Sequence, residues 1–204
     1  MKIQEALNEL RKQEPRKFEQ SVDLIINLKS IDAKRDQVNF ITTIPHKIKD
    51  KKVCGFLKQK SDLVRTITEP EFQKYKEKNA IKKLVKEYDY FIASASLMPK
   101  VAMTFGKILG PAGKMPSPQL GVLMQENNDE VNKTLEKISN SMKIRLKEAS
   151  IKIPIGKEKM DDEKIIENVK AIYKATENAL PKKRDNIKNV LLKFTMGKPI
   201  KVEL

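Results

Sequence analysis

KVCGF at residues 52–56 and DYFIASA at residues 89–95 are short apolar segments on either side of a lysine-rich stretch that ends in AIKKLVKEY, residues 80–88. Both segments have the length and composition of strands, and the stretch between them has the three- and four-residue apolar spacing of a helix. A strand, a helix and a second strand in this order make a βαβ unit. The sequence therefore predicts an α/β fold around this unit.

The chain after this unit continues with helical patterns separated by a loop. A helix with Pro99 near its first turn leads into FGKILGPAGKMPSP, residues 105–118, whose glycines and prolines predict a loop. The next stretch, NNDEVNKTLEKISNSM at residues 127–142, places its apolar residues on one helical face. The middle of the chain is thus predicted to hold its own set of strands and helices.

Both ends of the chain predict further elements. An N-terminal helix is expected because Ile3, Ala6, Leu7 and Leu10 share one face. The other predicted elements are strands at 21–28 and 38–44, a charged turn at 32–37 between them, strands at 143–147 and 149–156, a long amphipathic helix at 161–180, and strands at 189–196 and 199–204. Boundaries between the middle and the two ends fall near residues 50 and 148.

The 105–118 loop does not fit a nucleotide-hydrolase P-loop. That motif needs a glycine five residues before the glycine of its Gly-Lys pair, and a Ser or Thr after the lysine to hold Mg²⁺. Here those positions are Ile108 and Met115. The three prolines of the loop also remove backbone N–H groups on which a phosphate nest depends.

The net charge of +15 over 204 residues indicates a polyanionic partner, and nucleic acid is the leading candidate. The alternative is a lysine-rich surface without a specific partner. Since no apolar run is long enough to span a bilayer and the N-terminus is not a signal peptide, we expect a soluble, intracellular protein.

Catalytic and metal chemistry find little support in the sequence. Cys54 and His46 are the single cysteine and histidine, so they cannot supply a structural zinc site, and packing is the expected role of Cys54. No Ser/His/Asp constellation has a reason to converge. We therefore predict no catalytic residue, no metal and no cofactor.

Four separated stretches resemble a known family. They are RKFEQSVDLIINLKSID (16–32), LMPKVAMTFGKILGPAGKMPSP (97–118), IKIPIGK (151–157) and LLKFTMGKPIKV (191–202). In this order and spacing they are similar to the ribosomal protein L-one family, which forms the mobile side stalk of the large subunit. The NLKSID segment and the short C-terminus look more like the archaeal branch than the bacterial one.

The resemblance implies two α/β domains. Residues 1–50 and 149–204 would together make a split rRNA-binding domain, and residues 51–148 an inserted, Rossmann-like second domain. It also implies a non-enzymatic protein of the cytoplasmic ribosome, located near the exit-site tRNA. A further expectation from the family is repression of translation through binding to the protein's own mRNA.

The residues expected at the RNA are carried over from the family motifs. They are Lys17, Phe18, Glu19 and Ser21, beside Thr195, Met196 and Gly197. Hydroxyls suit ribose and phosphate, Phe and Met suit sugars and bases, and a glycine lets the backbone approach RNA closely. From the residues alone, Phe18 could equally be a core aromatic, and Thr-Met-Gly a strand end followed by a turn.

Two positions depart from the family pattern. The family commonly has Ser where this chain has Asn189, and Arg where it has Ala112, so a guanidinium that could bind phosphate is missing. Asn189 retains hydrogen-bonding ability and stays among the expected contacts. The 105–118 loop is expected to make a secondary RNA contact through Lys107, Gly110, Gly113 and Lys114.

Two alternatives come from other functional classes. One is an enzyme acting on a phosphorylated substrate, with GPAGK at residues 110–114 as its anion site and Lys114 as the charge. The other is a generic RNA-coating protein, which would show no preference for rRNA over tRNA. Co-sedimentation with ribosomal subunits, compared with phosphate release, distinguishes the first alternative from the ribosomal interpretation.

Overall fold

A computed structural model describes residues 1–13, 16–31, 38–75, 77–146 and 148–203. The predicted charged turn at 32–37 lies outside these ranges. The described chain forms two compact units: unit 1 is Met1–Ile48 with Asn140–Leu204, and unit 2 is Lys49–Ser139. The expectation of a mixed α/β fold in two domains is confirmed.

The α-helices in chain order are α1 (Ile3–Arg11), α2 (Lys78–Glu87), α3 (Met98–Ala112), α4 (Asn128–Ser139) and α5 (Asp162–Ala179). The strands are β1 (Ser21–Leu28), β2 (Asn39–Thr43), β3 (Val53–Phe56), β4 (Arg65–Ile67), β5 (Tyr90–Ser94), β6 (Val122–Leu123), β7 (Ser141–Arg145), β8 (Ser150–Lys157), β9 (Ile187–Phe194) and β10 (Ile200–Val202). In the described ranges, no helix is both long and apolar enough to cross a bilayer.

Unit 2 contains a parallel sheet with the strand order β4-β3-β5-β6. The pairing of β3 with β5, joined through α2, confirms the predicted βαβ unit. Cys54 is fully buried in β3, which confirms its expected packing role, and burial raises the pKa of its thiol to about 12. The short edge strand β4 has no counterpart among the predicted elements, because three residues are too few for a periodic signal.

The prediction of a loop over residues 105–118 is wrong for its first half, because α3 continues to Ala112. The helical face of Val101, Phe105 and Leu109 is completely buried, and this burial outweighs the helix-breaking tendency of the glycines and of Pro111 in the last turn. Gly113 then ends the helix with φ at 71°, a left-handed conformation that favours glycine.

Unit 1 is built on an antiparallel sheet with the order β10-β9-β1-β8. Alternate residues of β1 are buried, as the sequence pattern predicts. The face of α1 predicted from its four apolar residues is also buried, and α1 packs on β9 and β10. Helix α5 packs on β8 and β2, so one face of the sheet carries both helices.

A separate two-stranded sheet pairs β2 with β7 in unit 1. It also joins the two ends of the insertion, since the Ile44 N–H donates to the carbonyl of Asn140 at 2.7 Å. Residues 140–148 therefore belong with unit 1, whereas the sequence pattern placed the boundary near 148. The difference arises because β7 finds its partner β2 about 100 residues earlier in the chain, which local periodicity does not reveal.

Candidate nucleic-acid interface

The segment that enters β1 and the segment that leaves β9 lie side by side. Val22 pairs with Phe194 in the antiparallel register, and the Thr195 N–H donates to the carbonyl of Ser21 at 3.1 Å. The Thr195 hydroxyl donates to the same carbonyl and accepts from the Ser21 N–H, both at 3.2 Å. Residues 17–21 and 195–197, which are more than 170 positions apart in sequence, are thus brought together; we call them the strand-end surface.

Gln20 fixes the middle of this surface, although the family motifs did not single it out. Its side chain is buried, and its Oε1 accepts the N–H of Met196 at 3.2 Å. Its own backbone is held by Glu158, whose Oε2 accepts the Gln20 N–H at 3.1 Å and whose N–H donates to the Gln20 carbonyl at 2.9 Å. A buried glutamine beside a strand has no sequence signature, because its partners are distant in the chain.

Gln13 fixes the other side of the surface by bonding both backbone groups of Lys198. Its Oε1 accepts the Lys198 N–H at 3.2 Å and its Nε2 donates to the Lys198 carbonyl at 3.3 Å. A Cβ added at Gly197 would overlap this Oε1 and lie 3.3 Å from the Cβ of Phe194. Gly197 does not have a positive φ, so a side chain here would be opposed only by its neighbours, and Gln13 would have to give up its position beside the Lys198 backbone.

Two large apolar side chains of the surface point into solvent. Phe18 is 54% exposed and Met196 is 64% exposed. The alternative that Phe18 is a core aromatic is therefore wrong. Located just before β1 and just after β9, respectively, they are suited to contact with sugars or bases.

Basic residues flank the strand-end surface. Arg16 and Lys17 are exposed where the chain approaches β1, and Lys198 is exposed just after Gly197. Lys157 pairs in register with Ser21, and its Nζ lies 3.7 Å from the carboxylate of Glu19. Glu19 therefore has a cationic partner within the protein.

Asn189 lies apart from the other expected contacts. It is six residues before Thr195 on β9, which corresponds to about 20 Å along a strand, and its Oδ1 accepts from Asn27 Nδ2 at 2.7 Å. Between the two ends, Asp23 pairs with Lys193 across β1 and β9. Burial raises the pKa of Asp23, and the charge of Lys193 opposes that rise. Asn189 is therefore not part of the strand-end surface.

Of the four residues expected to make a secondary RNA contact in the 105–118 stretch, two have structural roles and two are exposed. Lys114 Nζ donates to the carbonyls of Val85 and Tyr88, both at 2.7 Å, where it satisfies the C-terminal end of α2. Gly113 is the cap of α3, while Lys107 and Gly110 lie on its exposed surface. Because two of its three N–H donors are used in this cap, Lys114 has only one left for an anion at GPAGK.

The described residues contain no group of three or more His, Cys, Asp or Glu side chains placed to hold a metal ion. The strand-end surface contains exposed apolar side chains, cations and backbone groups held in place by hydrogen bonds. These are the components of a surface that contacts sugar, phosphate and bases.

Replacing Thr195 with Val is expected to lower the free energy of unfolding by about 1 kcal/mol, because the backbone of Ser21 loses its hydroxyl partner. Thr195→Ser keeps the hydroxyl and should be close to the parent protein. Urea unfolding of the three proteins measures the difference. Equal stability of the Val and Ser variants would show that the bond to Ser21 contributes nothing.

Comparison with known proteins identifies the family of this chain. A family model described as the ribosomal protein L1p/L10e family matches residues 10–198. The large ribosomal subunit protein uL1 of Pyrococcus horikoshii is 35% identical over 99% of this chain and 95% of its own length. The uL1 proteins of Thermoplasma volcanium and Pyrobaculum islandicum are 37% and 33% identical, each over 98% of this chain and at least 90% of their own length. The chain therefore belongs to the ribosomal protein L1p/L10e family.

Proposed function

We propose that this chain is a structural, non-enzymatic protein of the large ribosomal subunit and binds large-subunit rRNA through the strand-end surface. The observation that carries the proposal is the assembly of residues 17–21 and 195–197 into one exposed, cation-flanked surface. Membership of a ribosomal protein family supports it.

The hydrogen-bonding state of Thr195 specifies which RNA group it can meet. Its hydroxyl proton is used on the Ser21 carbonyl, and one oxygen lone pair is used by the Ser21 N–H. The remaining lone pair can accept a hydrogen bond but the hydroxyl has no second proton to donate. A ribose 2′-OH, which can donate, is the matching partner, and this preference would distinguish RNA from DNA.

The surface is also organised before RNA arrives. Gln20 holds Met196, and Gln13 holds Lys198, so the turn that carries the apolar side chain is tied on both sides. Binding then loses less conformational entropy than it would on a mobile loop. Phe18 and Met196 supply the apolar contact, while Arg16 and Lys17 neutralise phosphates.

Removal of unit 2 tests this assignment directly. Joining Ile48 to Asn140 through a linker of about six Gly and Ser residues should be possible, because Ile44 and Asn140 are already hydrogen-bonded and the linker needs to cover only a few residues of chain. We expect the joined protein to fold and to bind an rRNA fragment within about tenfold of the full chain.

The measurement is a filter-binding titration with the rRNA fragment, with circular dichroism to establish folding. Bulk tRNA is the competitor that identifies a generic RNA-coating protein. A folded unit 1 that ignores rRNA would refute the proposal, and equal affinity for rRNA and tRNA would favour the RNA-coating alternative.

Substitution of Lys17 tests whether this side chain contacts phosphate. Lys17→Ala should reduce the slope of log affinity against log salt by up to about one unit, with little change in preference among RNAs, because one counterion fewer is released. Lys133→Ala removes the same charge from the exposed face of α4 in unit 2 and should leave the slope unchanged. An unchanged slope for Lys17→Ala would place Lys17 away from the RNA backbone.

The more specific roles that the family suggests are proposals of the same kind. They are a position at the mobile side stalk of the cytoplasmic ribosome, proximity to exit-site tRNA, and repression through the protein's own mRNA. If the mRNA site imitates the rRNA site, the two RNAs must compete for the strand-end surface. We expect an rRNA fragment and the leader of the mRNA to compete for binding. The same substitutions should weaken the binding of both RNAs.

A further inference from the structure

Unit 2 has a cleft of about 420 Å³ beside its edge strand β4. One wall is the segment that precedes β4, and the other is a 3-10 helix, Glu69–Tyr75, that leads towards α2. The volume lies within the range of roughly 300–1,000 Å³ that small-molecule sites occupy.

Three cations line this cleft: Lys60, Arg65 and Lys74. The lining includes two acids, Asp62 and Glu71, but Glu71 is committed to its own segment. Its Oε2 accepts the backbone N–H of Thr68 at 3.0 Å and the Thr68 hydroxyl at 3.3 Å. The carboxylate of Glu71 keeps its charge, so three cations and two acids leave the lining with a net positive charge that favours an anionic ligand.

Tyr75 provides an aromatic wall in a fixed orientation. Its ring packs against Phe105 of the unit 2 core, with ring centroids 5.7 Å apart. Arg65 lines the same cleft, so a guanidinium and an aromatic ring are both present in it. A guanidinium suits phosphate, and a ring packed on the core can contact a nucleobase with little loss of entropy.

We propose that this cleft binds a nucleoside phosphate, with the base against Tyr75 and the phosphate among Lys60, Arg65 and Lys74. Free nucleotide and an unpaired nucleotide of RNA share this chemistry. The cleft is separate from the strand-end surface, because all of its lining residues belong to unit 2. The proposal is therefore independent of rRNA binding by unit 1.

The test is an NMR titration of the full chain with adenosine 5′-monophosphate, adenosine, inorganic phosphate and a single-stranded adenine hexanucleotide. We expect the monophosphate to shift amide signals of residues 60–67 and 71–75 saturably, and to bind at least about tenfold more tightly than adenosine or phosphate alone. A hexanucleotide that binds about tenfold more tightly than the monophosphate identifies RNA as the source, and equal affinities identify free nucleotide.

Paired substitutions distinguish binding at this cleft from non-specific attraction by the positive charge of the protein. Lys60→Gln with Lys74→Gln should weaken monophosphate binding by at least about tenfold, whereas Lys133→Gln with Lys137→Gln removes two exposed charges from α4 and should have no effect. Tyr75→Leu should remove the advantage of the monophosphate over phosphate. The proposal is overturned if neither nucleotide shifts these amides, if phosphate alone binds as well as the monophosphate, or if both lysine pairs weaken binding equally.

Discussion

Replacing Asn168 with Leu is expected to lower the free energy of unfolding of unit 1 by about 3 to 5 kcal/mol, because it leaves one buried and two partly buried backbone groups without partners. Asn168 is completely buried on α5. Its Nδ2 donates to the carbonyls of His46 and Ile155 at 3.0 and 2.9 Å, and its Oδ1 accepts the His46 N–H at 3.0 Å.

These partners explain why the effect should be large. Ile155 lies at a bulge, where the register between β1 and β8 shifts, so its carbonyl needs a partner outside the ladder. His46 belongs to the N-terminal segment, whereas Ile155 and Asn168 belong to the C-terminal segment. A single amide thus ties together the two parts of unit 1 that the insertion separates in sequence.

Asn178→Leu is the matched control, because it makes the same chemical change at an exposed position of the same helix. It should alter stability by less than about 0.5 kcal/mol. Native-state hydrogen exchange of the β1 and β9 amides reports unit 1 separately from unit 2. Equal protection of these amides in the two variants would contradict the role assigned to Asn168.

Local patterns predicted much of the fold because they depend on neighbours in the sequence. The alternation of SVDLIINL over residues 21–28 predicts one buried face, and the apolar spacing of residues 3–10 predicts α1. The helix in residues 105–112 was missed for a physical reason. Glycine and proline have low helix propensity, but Phe105 and Leu109 gain enough from burial to keep the chain helical.

Local sequence patterns predicted less of the candidate site. The family motifs named Thr195 and Gly197, and the structure places them at the end of β9 next to Ser21. The motifs did not single out Gln13 and Gln20, whose side chains bond to residues more than 170 positions away. Such bonds depend on the final register of the sheet, which no short window of sequence contains.

Lys114 has a structural role that the motif did not indicate. A lysine in a glycine-rich stretch suggested an anion contact, yet its ammonium group satisfies two carbonyls at the end of α2. Charge and flanking glycines are the same in both interpretations, and only the position of α2 distinguishes them. A basic residue in a loop motif therefore identifies a candidate cation and leaves its partner undetermined.

Gly197→Val is expected to weaken binding of the rRNA fragment by about 30- to 150-fold, equivalent to about 2 to 3 kcal/mol. The added Cβ would occupy the position of Gln13 Oε1, so Gln13 must leave the Lys198 backbone and the turn that carries Met196 loses its support. The branched side chain also stands on the surface proposed to approach ribose. Both effects act on the bound complex more than on the fold, since Gly197 has no positive φ for valine to resist.

Two comparisons make the Gly197 result specific. Gly106→Val is the matched control, because a Cβ there meets nothing within 4 Å and the residue lies on α3 of unit 2. In a Gln13→Ala background the clash is already removed. Gly197→Val should therefore weaken binding by clearly less than it does in the parent. This non-additivity would show that the effect of Gly197→Val on RNA binding acts through Gln13. Filter binding to the rRNA fragment and to bulk tRNA, with circular dichroism for folding, measures the parent and the four variants. A folded Gly197→Val protein that binds the fragment as the parent does would place the RNA interface elsewhere on unit 1, because the turn at residues 195–198 would then be shown to serve the fold alone.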